Sequence, residues 1–135
     1  MAKTVYYRNA LLSWAKGAAF INPPSALYVG LFTTPPTDVY TNSSPTGTEV
    51  VGGNYARQPV AFGPIVSIPG TGSSISNSSA ITFPAATANW GAIVDIGIFD
   101  VSGNLLLFGF PQSNVSVPNG YQLVINIGSL IYSES

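Results

Sequence analysis

The sequence predicts an all-β fold: an antiparallel, jelly-roll-like β-sandwich of about seven or eight strands with one short N-terminal helix. Three observations lead there. Helical spacing of apolar residues occurs only near the start of the chain. Beyond Pro24 the apolar residues fall in short runs of strand length. Clusters of Gly, Pro, Asn and Ser separate these runs at regular intervals, as in sandwiches and jelly rolls.

The helix is expected over about residues 5–17. Tyr7, Leu11, Trp14, Ala15 and Ala18 share one stripe, with Asn9, Ser13 and Lys16 opposite. Gly17 can end it, and Asn22-Pro23-Pro24 forbids continuation. The stripe suits a helix packed on the sandwich or one that meets a partner. Ala26 to Thr33 follows as a strand covered on both sides, with Leu27, Val29 and Leu31 on one face and Tyr28 and Phe32 on the other. Residues 34–53 form a long polar loop, a feature that is usually functional or mobile in a small domain. Further strands are expected at 55–62, 80–83, 92–99, 105–110, 115–117 and 121–132, the last broken near Gly128. Asp100 to Asn104 reads as a hairpin turn, and residues 68–79 as a flexible polar loop. With no internal repeat and no linker, the 135 residues are expected to form one domain.

Charge is the unusual feature of the composition. Only 7% of residues are charged, against about 25% in an average soluble domain, while 46% are hydrophobic. A lone soluble protein uses surface charge to stay dispersed. So few charges point to a surface solvated by Ser, Thr, Asn and Gln or covered by partners, and a stable oligomer is expected. The net charge of −1 offers no field for nucleic acid or an anionic membrane. No run approaches the ~20 apolar residues of a membrane span, so no membrane insertion is expected. No cleavable signal is evident, and assembly in a host cytoplasm is expected.

Chemistry is scarce. With no His and no Cys, the usual bases, nucleophiles and zinc ligands are missing. The five acidic residues are scattered. Asp95 and Asp100 lie five apart on one strand and leave opposite faces, which does not suit a glycosidase pair. Asp95 is expected to pair with a backbone donor or with Arg57, and Asp100 to shape its turn. No enzyme activity, no cofactor and no metal site are expected. Arg57 reads as a solvated arginine or as one stacked on aromatics and bridging a carboxylate. Trp90, Tyr40, Tyr55 and Tyr121 could present aromatic faces to a sugar. Asn42, Asn77 and Asn114 begin Asn-x-Ser patterns that count as loop composition.

Several ordered blocks resemble a phage protein family often labelled tail-fibre protein. They are Leu27 to Thr33 followed by Pro35 and Pro36, Gly47 to Val50, and Gly52 to Gln58 with Val60 and Phe62-Gly63. Ile81 to Ala88, Trp90-Gly91, Gly97 to Asp100 and Asn104 to Leu106 continue the similarity, which ends on Val117, Gly120, Leu123, Ile125, Gly128 and Leu130. The resemblance implies a β-sandwich virion component of a tailed bacteriophage. Such modules occur at the ends of fibres or spikes and as trimeric cement proteins on capsids. With no fibre shaft or anchoring domain evident, the chain fits a trimeric decoration protein on the outer capsid slightly better. It would pack with itself and bridge the major capsid protein, and could contribute to host attachment. The alternative is a tail fibre or baseplate protein that recognises a host surface glycan. Candidate interface residues are Tyr7, Leu11, Trp14, Pro35, Pro36, Tyr40, Arg57, Trp90, Tyr121 and Tyr132.

Overall fold

A computed structural model describes residues 1–19 and 24–135. The chain opens with the strand β1 (Ala2–Lys3) and the helix α1 (Val5–Ala15), followed by β2 (Leu27–Thr34), β3 (Thr48–Glu49), β4 (Gln58–Val60) and β5 (Val66–Ile68). Next come β6 (Gly72–Ser76), β7 (Ile81–Thr82), β8 (Gly91–Ile93), β9 (Asp95–Asp100) and β10 (Leu105–Gly109). The last strands are β11 (Val115–Val117), β12 (Val124–Ile125) and β13 (Ile131–Glu134). The all-β antiparallel expectation holds, although the strands are shorter and more numerous than expected. The expected strand over 92–99, for example, is two strands that break at Val94.

The main sheet has the order β1-β10-β9-β2-β3, with β4 also beside β2. Three smaller ladders, β11-β8, β12-β7 and β13-β6-β5, pair the remaining strands. The main core combines Val29, Leu31, Ile98 and Leu107 of the large sheet with Ile81, Phe83, Trp90, Ile93, Val117, Leu123 and Leu130. The sheet's other face carries a second cluster of Phe32, Phe99, Leu105 and Tyr40. Strand β2 is therefore buried on both faces, as its unbroken apolar run predicts.

Two glycines make that second cluster possible. Gly30 and Gly97 are cross-strand partners. A Cβ on Gly97 would come within 2.7 Å of Leu105 Cδ1 and 2.9 Å of Phe32 Cε2. A Cβ on Gly30 would meet Phe99 Cε2 at 2.7 Å. The missing side chains leave the hollow into which the rings of Phe32 and Phe99 stack, 6.1 Å apart. Gly97→Ala is expected to destabilise the protein by about 1–3 kcal/mol through overpacking, read from urea midpoints at unchanged slope.

The helix is fastened to the sheet at its start and exposed toward its end. Thr4 is buried; its Oγ1 accepts from the Tyr7 N–H and donates to the Leu105 carbonyl at 2.6 Å, so one side chain caps α1 and ties it to β10. Gly17, with φ of 96°, ends the helix, and the bonds from Gly17 to Trp14 and from Ala18 to Ser13 close its last turn. Tyr7 and Leu11 are half-buried, whereas Trp14, Ala15 and Ala18 are exposed. Only the first part of the expected stripe packs on the sandwich. Asn22 and Pro23, the expected block to continuation, lie outside the described residues.

The expected flexible loop at 68–79 is instead a hairpin. Strands β5 and β6 pair across a turn in which Thr71 donates to the Ile68 carbonyl at 3.0 Å. Pro69 and Gly70, the latter at φ 78°, take the places a type II turn assigns to proline and glycine. Strand β6 then pairs with β13. The Asp100–Asn104 turn forms as expected: Asp100 Oδ1 accepts from the Ser102 and Asn104 N–H groups, each at 2.9 Å.

Candidate interaction surface

The charged groups are largely used up inside the molecule. Six of the nine form three ion pairs: Lys3–Glu134, Arg8–Asp38 and Arg57–Glu49. Asp100 serves its turn. Asp95 is buried and accepts from the Ile96 N–H at 2.8 Å, so the backbone partner, and not Arg57, satisfies it.

Arg57 shows the stacked and bridging arrangement. Its Nε and Nη2 donate to the two carboxylate oxygens of Glu49, each at 2.8 Å, and its Cζ sits 3.5 Å from the Phe99 ring centroid. Burial alone would lower the guanidinium pKa, but the hydrogen bonds and charge of Glu49 raise it above its ordinary value. The Tyr55 hydroxyl joins the same carboxylate at 2.8 Å and accepts from the Leu31 N–H. Burial, then the charge of Glu49, pushes its pKa up and keeps it a neutral donor. This cluster pins the 34–53 loop to the main sheet, because Glu49 lies on β3 opposite Phe32.

The Asp95 carboxyl is raised above its ordinary value of 3.8 by burial, against backbone hydrogen bonds from Ile96 and Gly109 that lower it. With a folded pKa above the unfolded one, its contribution to stability is full below the ordinary value and is lost as pH rises through the folded value. Asp95→Asn is expected to remove this dependence. Thermal melts over a pH series should show the wild type losing ground to the variant as pH rises from below the ordinary carboxylate value. Glu134 has the opposite sign: hydrogen bonds from Lys3 and Tyr132 lower its pKa, so its contribution fades on acidification.

The structure divides the candidate interface residues into three groups. Tyr40 (5% exposed), Trp90 (6%) and Pro36 are buried. The Tyr40 ring meets Phe32 and Phe99, while Trp90 packs edge-on against Tyr55 and Phe83 and donates from Nε1 to the Gly53 carbonyl. These residues hold loops to the body. Tyr7, Leu11, Arg57 and Tyr132 are half-buried. Trp14, Pro35 and Tyr121 are exposed. Of the four aromatic residues expected to suit a sugar, Tyr121 alone stands well out into solvent; Tyr55 is stacked on Phe83.

Sequence reasoning missed much of the exposed apolar surface. Val51 is 91% exposed and Phe110 80%. Leu12 beside Trp14, and the set Ile65, Val66, Ile68, Ile127 and Ile131, are also exposed. Isolated apolar residues inside polar segments carry no periodic signal, so only the fold reveals which of them remain outside. A mainly apolar groove of about 480 Å3 lies between α1 and the β layers, lined by Tyr6, Tyr7, Leu27, Phe62, Ile98 and Tyr132 among others. The Asp100 carboxylate at its wall is engaged in its own turn. Among the described residues there is no acidic cluster placed to hold a metal, and no helix is long and apolar enough to cross a membrane.

The family described as podophage GP4 fiber I protein gp80 matches residues 2–133, nearly the whole chain. The chain belongs to this phage fibre family. No curated protein matches it. As a member of the fiber I family it is a virion-associated structural protein, and the family's structural character points away from catalysis.

Proposed function

We propose that this fiber I family protein is a non-catalytic adhesion component of the phage tail, which assembles with copies of itself and docks through uncharged surfaces. The observation that supports this most is the pairing of an almost charge-free sequence with many large apolar side chains left in solvent. Monomeric surfaces rarely combine the two. Six charged groups neutralise one another within the chain, so shape and apolar contact are left to drive association. Repeated copies of a modest contact then hold firmly, since each bound copy raises the effective concentration of the next.

A trimer is the form we propose, and a fibre the place, in keeping with the family's description. The test is sedimentation equilibrium of the purified chain. A stable trimer is expected at micromolar concentration, and a monomer at that concentration would overturn the reading. A host surface polysaccharide is the proposed target, with Tyr121 as the exposed ring that can stack on a sugar. Tyr121→Ala should then lose retention on immobilised host lipopolysaccharide. Capsid decoration through the major capsid protein is the second reading, favoured by the same charge-poor surface.

A further inference from the structure

We infer that a second copy of this chain extends the small sheet β13-β6-β5, with β5 of one copy laid beside β13 of the next; the inference rests on the self-association proposed above. The ladder has two ends. Among the described residues, strand β5 pairs only with β6 on one side, and β13 pairs only with β6 on the other. Each outer edge presents a row of backbone N–H and C=O groups that an extended strand can satisfy.

The registers show which side chains share the outward face. Val66 lies opposite Ser74, which lies opposite Ser133; Ile68 lies opposite Gly72, and Ser76 opposite Ile131. Val66, Ile68 and Ile131 therefore point to one side, where they are 59%, 58% and 53% exposed. Tyr132 and Ile75 point to the other side and line the groove under α1. Serine and glycine fill the rest of the outer face, leaving it low and flat.

Charge argues for a second copy as the occupant. No residue from Gln58 to Val94, and none from Val101 to Ser133, is charged. Natural edge strands are usually guarded by lysine, an inward-pointing charge or a covering element. Strand β5 has no such charge, and all three of its residues are exposed. A charged partner would lose its hydration against this face and gain no counter-charge. A second copy meets it with an edge that is uncharged through Ser133 and whose one acid, Glu134, is already paired with Lys3 of its own chain. Because the two edges differ, β5 to β13 is a head-to-tail contact, and such contacts close into rings when the rotation allows. A closed trimer would leave no edge of this sheet open.

The test uses the full chain in two ways. Val66→Lys combined with Ile68→Lys places charges on the outer face without touching the core. The wild type is expected to sediment as an oligomer and this variant as a monomer with an unchanged circular dichroism spectrum. Phe110→Lys, which alters an exposed apolar residue elsewhere, should leave the oligomer intact. An oligomer that survives both lysines overturns the inference and leaves self-association standing; a monomeric wild type overturns both. If the lysine variant does not fold, cross-linking decides, because the chain has no cysteine of its own. Val66→Cys and Ser133→Cys chains, mixed and treated with a short bismaleimide, should link to each other. Neither should link when alone. Linkage within one variant alone, or no linkage in the mixture, overturns the β5–β13 contact.

Discussion

Arg57→Ala is expected to lower stability by about 2–4 kcal/mol, less than the 3–5 kcal/mol typical of a fully buried pair, because the two side chains are still 29% and 20% exposed. Three losses combine. Glu49 loses both bonds from the guanidinium in a half-buried site, where the Tyr55 hydroxyl still donates to it. Phe99 loses the guanidinium stacked on its ring, worth about 0.5–1 kcal/mol. The 34–53 loop loses its side-chain tie from Glu49 to Arg57, although β3 stays paired with β2 beside Phe32. Arg57→Lys should recover part of the loss, since an ammonium keeps the charge but cannot reproduce the two-pronged bond or the stack. Urea denaturation of the single variants and of the Arg57→Ala, Glu49→Ala pair checks this. The double variant should cost clearly less than the sum of the singles, and strict additivity would show that the two residues act separately.

Asn77→Asp should cost about 3–5 kcal/mol despite the near-identical shape. Asn77 is 1% exposed. Its Oδ1 accepts from the Leu130 N–H at 2.9 Å, and its Nδ2 donates to the carbonyls of Ser79 and Asn126 at 2.8 and 3.0 Å. The amide thereby ties the end of β6 to the turn that leads into β13. A carboxylate would set negative charge against two carbonyl oxygens in a buried site. Loss should be greatest at neutral pH and smaller in acid, where the carboxyl is protonated and recovers one donor. A variant as stable as the wild type at neutral pH would contradict this account of the site. The same burial explains why the Asn-x-Ser pattern at Asn77 is structural.

How much of this was legible in the sequence depends on how each segment announces itself. The two-sided burial of β2 was legible because Leu27 to Phe32 has no polar interruption. The β9–β10 hairpin was legible through Asp100 and Gly103. The Arg57 fork was legible only as one of two readings beside a solvated arginine, and its partner Glu49 was not named, because nothing in the order of residues brings 49 and 57 together. The β5–β6 hairpin was not. Its Ser-Gly sequence has one aliphatic residue in β6, so strand alternation is hidden, and pairing with the distant β13 is what orders it. Nor could sequence separate Trp90 and Tyr40 from Tyr121. All three lie in polar surroundings, and only the way the loops fold back decides which rings are covered. The helix stripe misled for a related reason: its period runs past Leu11, but Trp14, Ala15 and Ala18 are exposed.

On the function proposed above, the exposed apolar residues and the paired charges make a surface that is covered within the virion. The most direct measurement of that account is copy number in purified particles, by mass spectrometry calibrated against the major capsid protein. The proposed trimeric tail fibre predicts a few to a few dozen copies, in multiples of three. Hundreds of copies in fixed ratio to the shell protein would contradict the tail placement in favour of capsid decoration, and absence from the particle would contradict the account altogether.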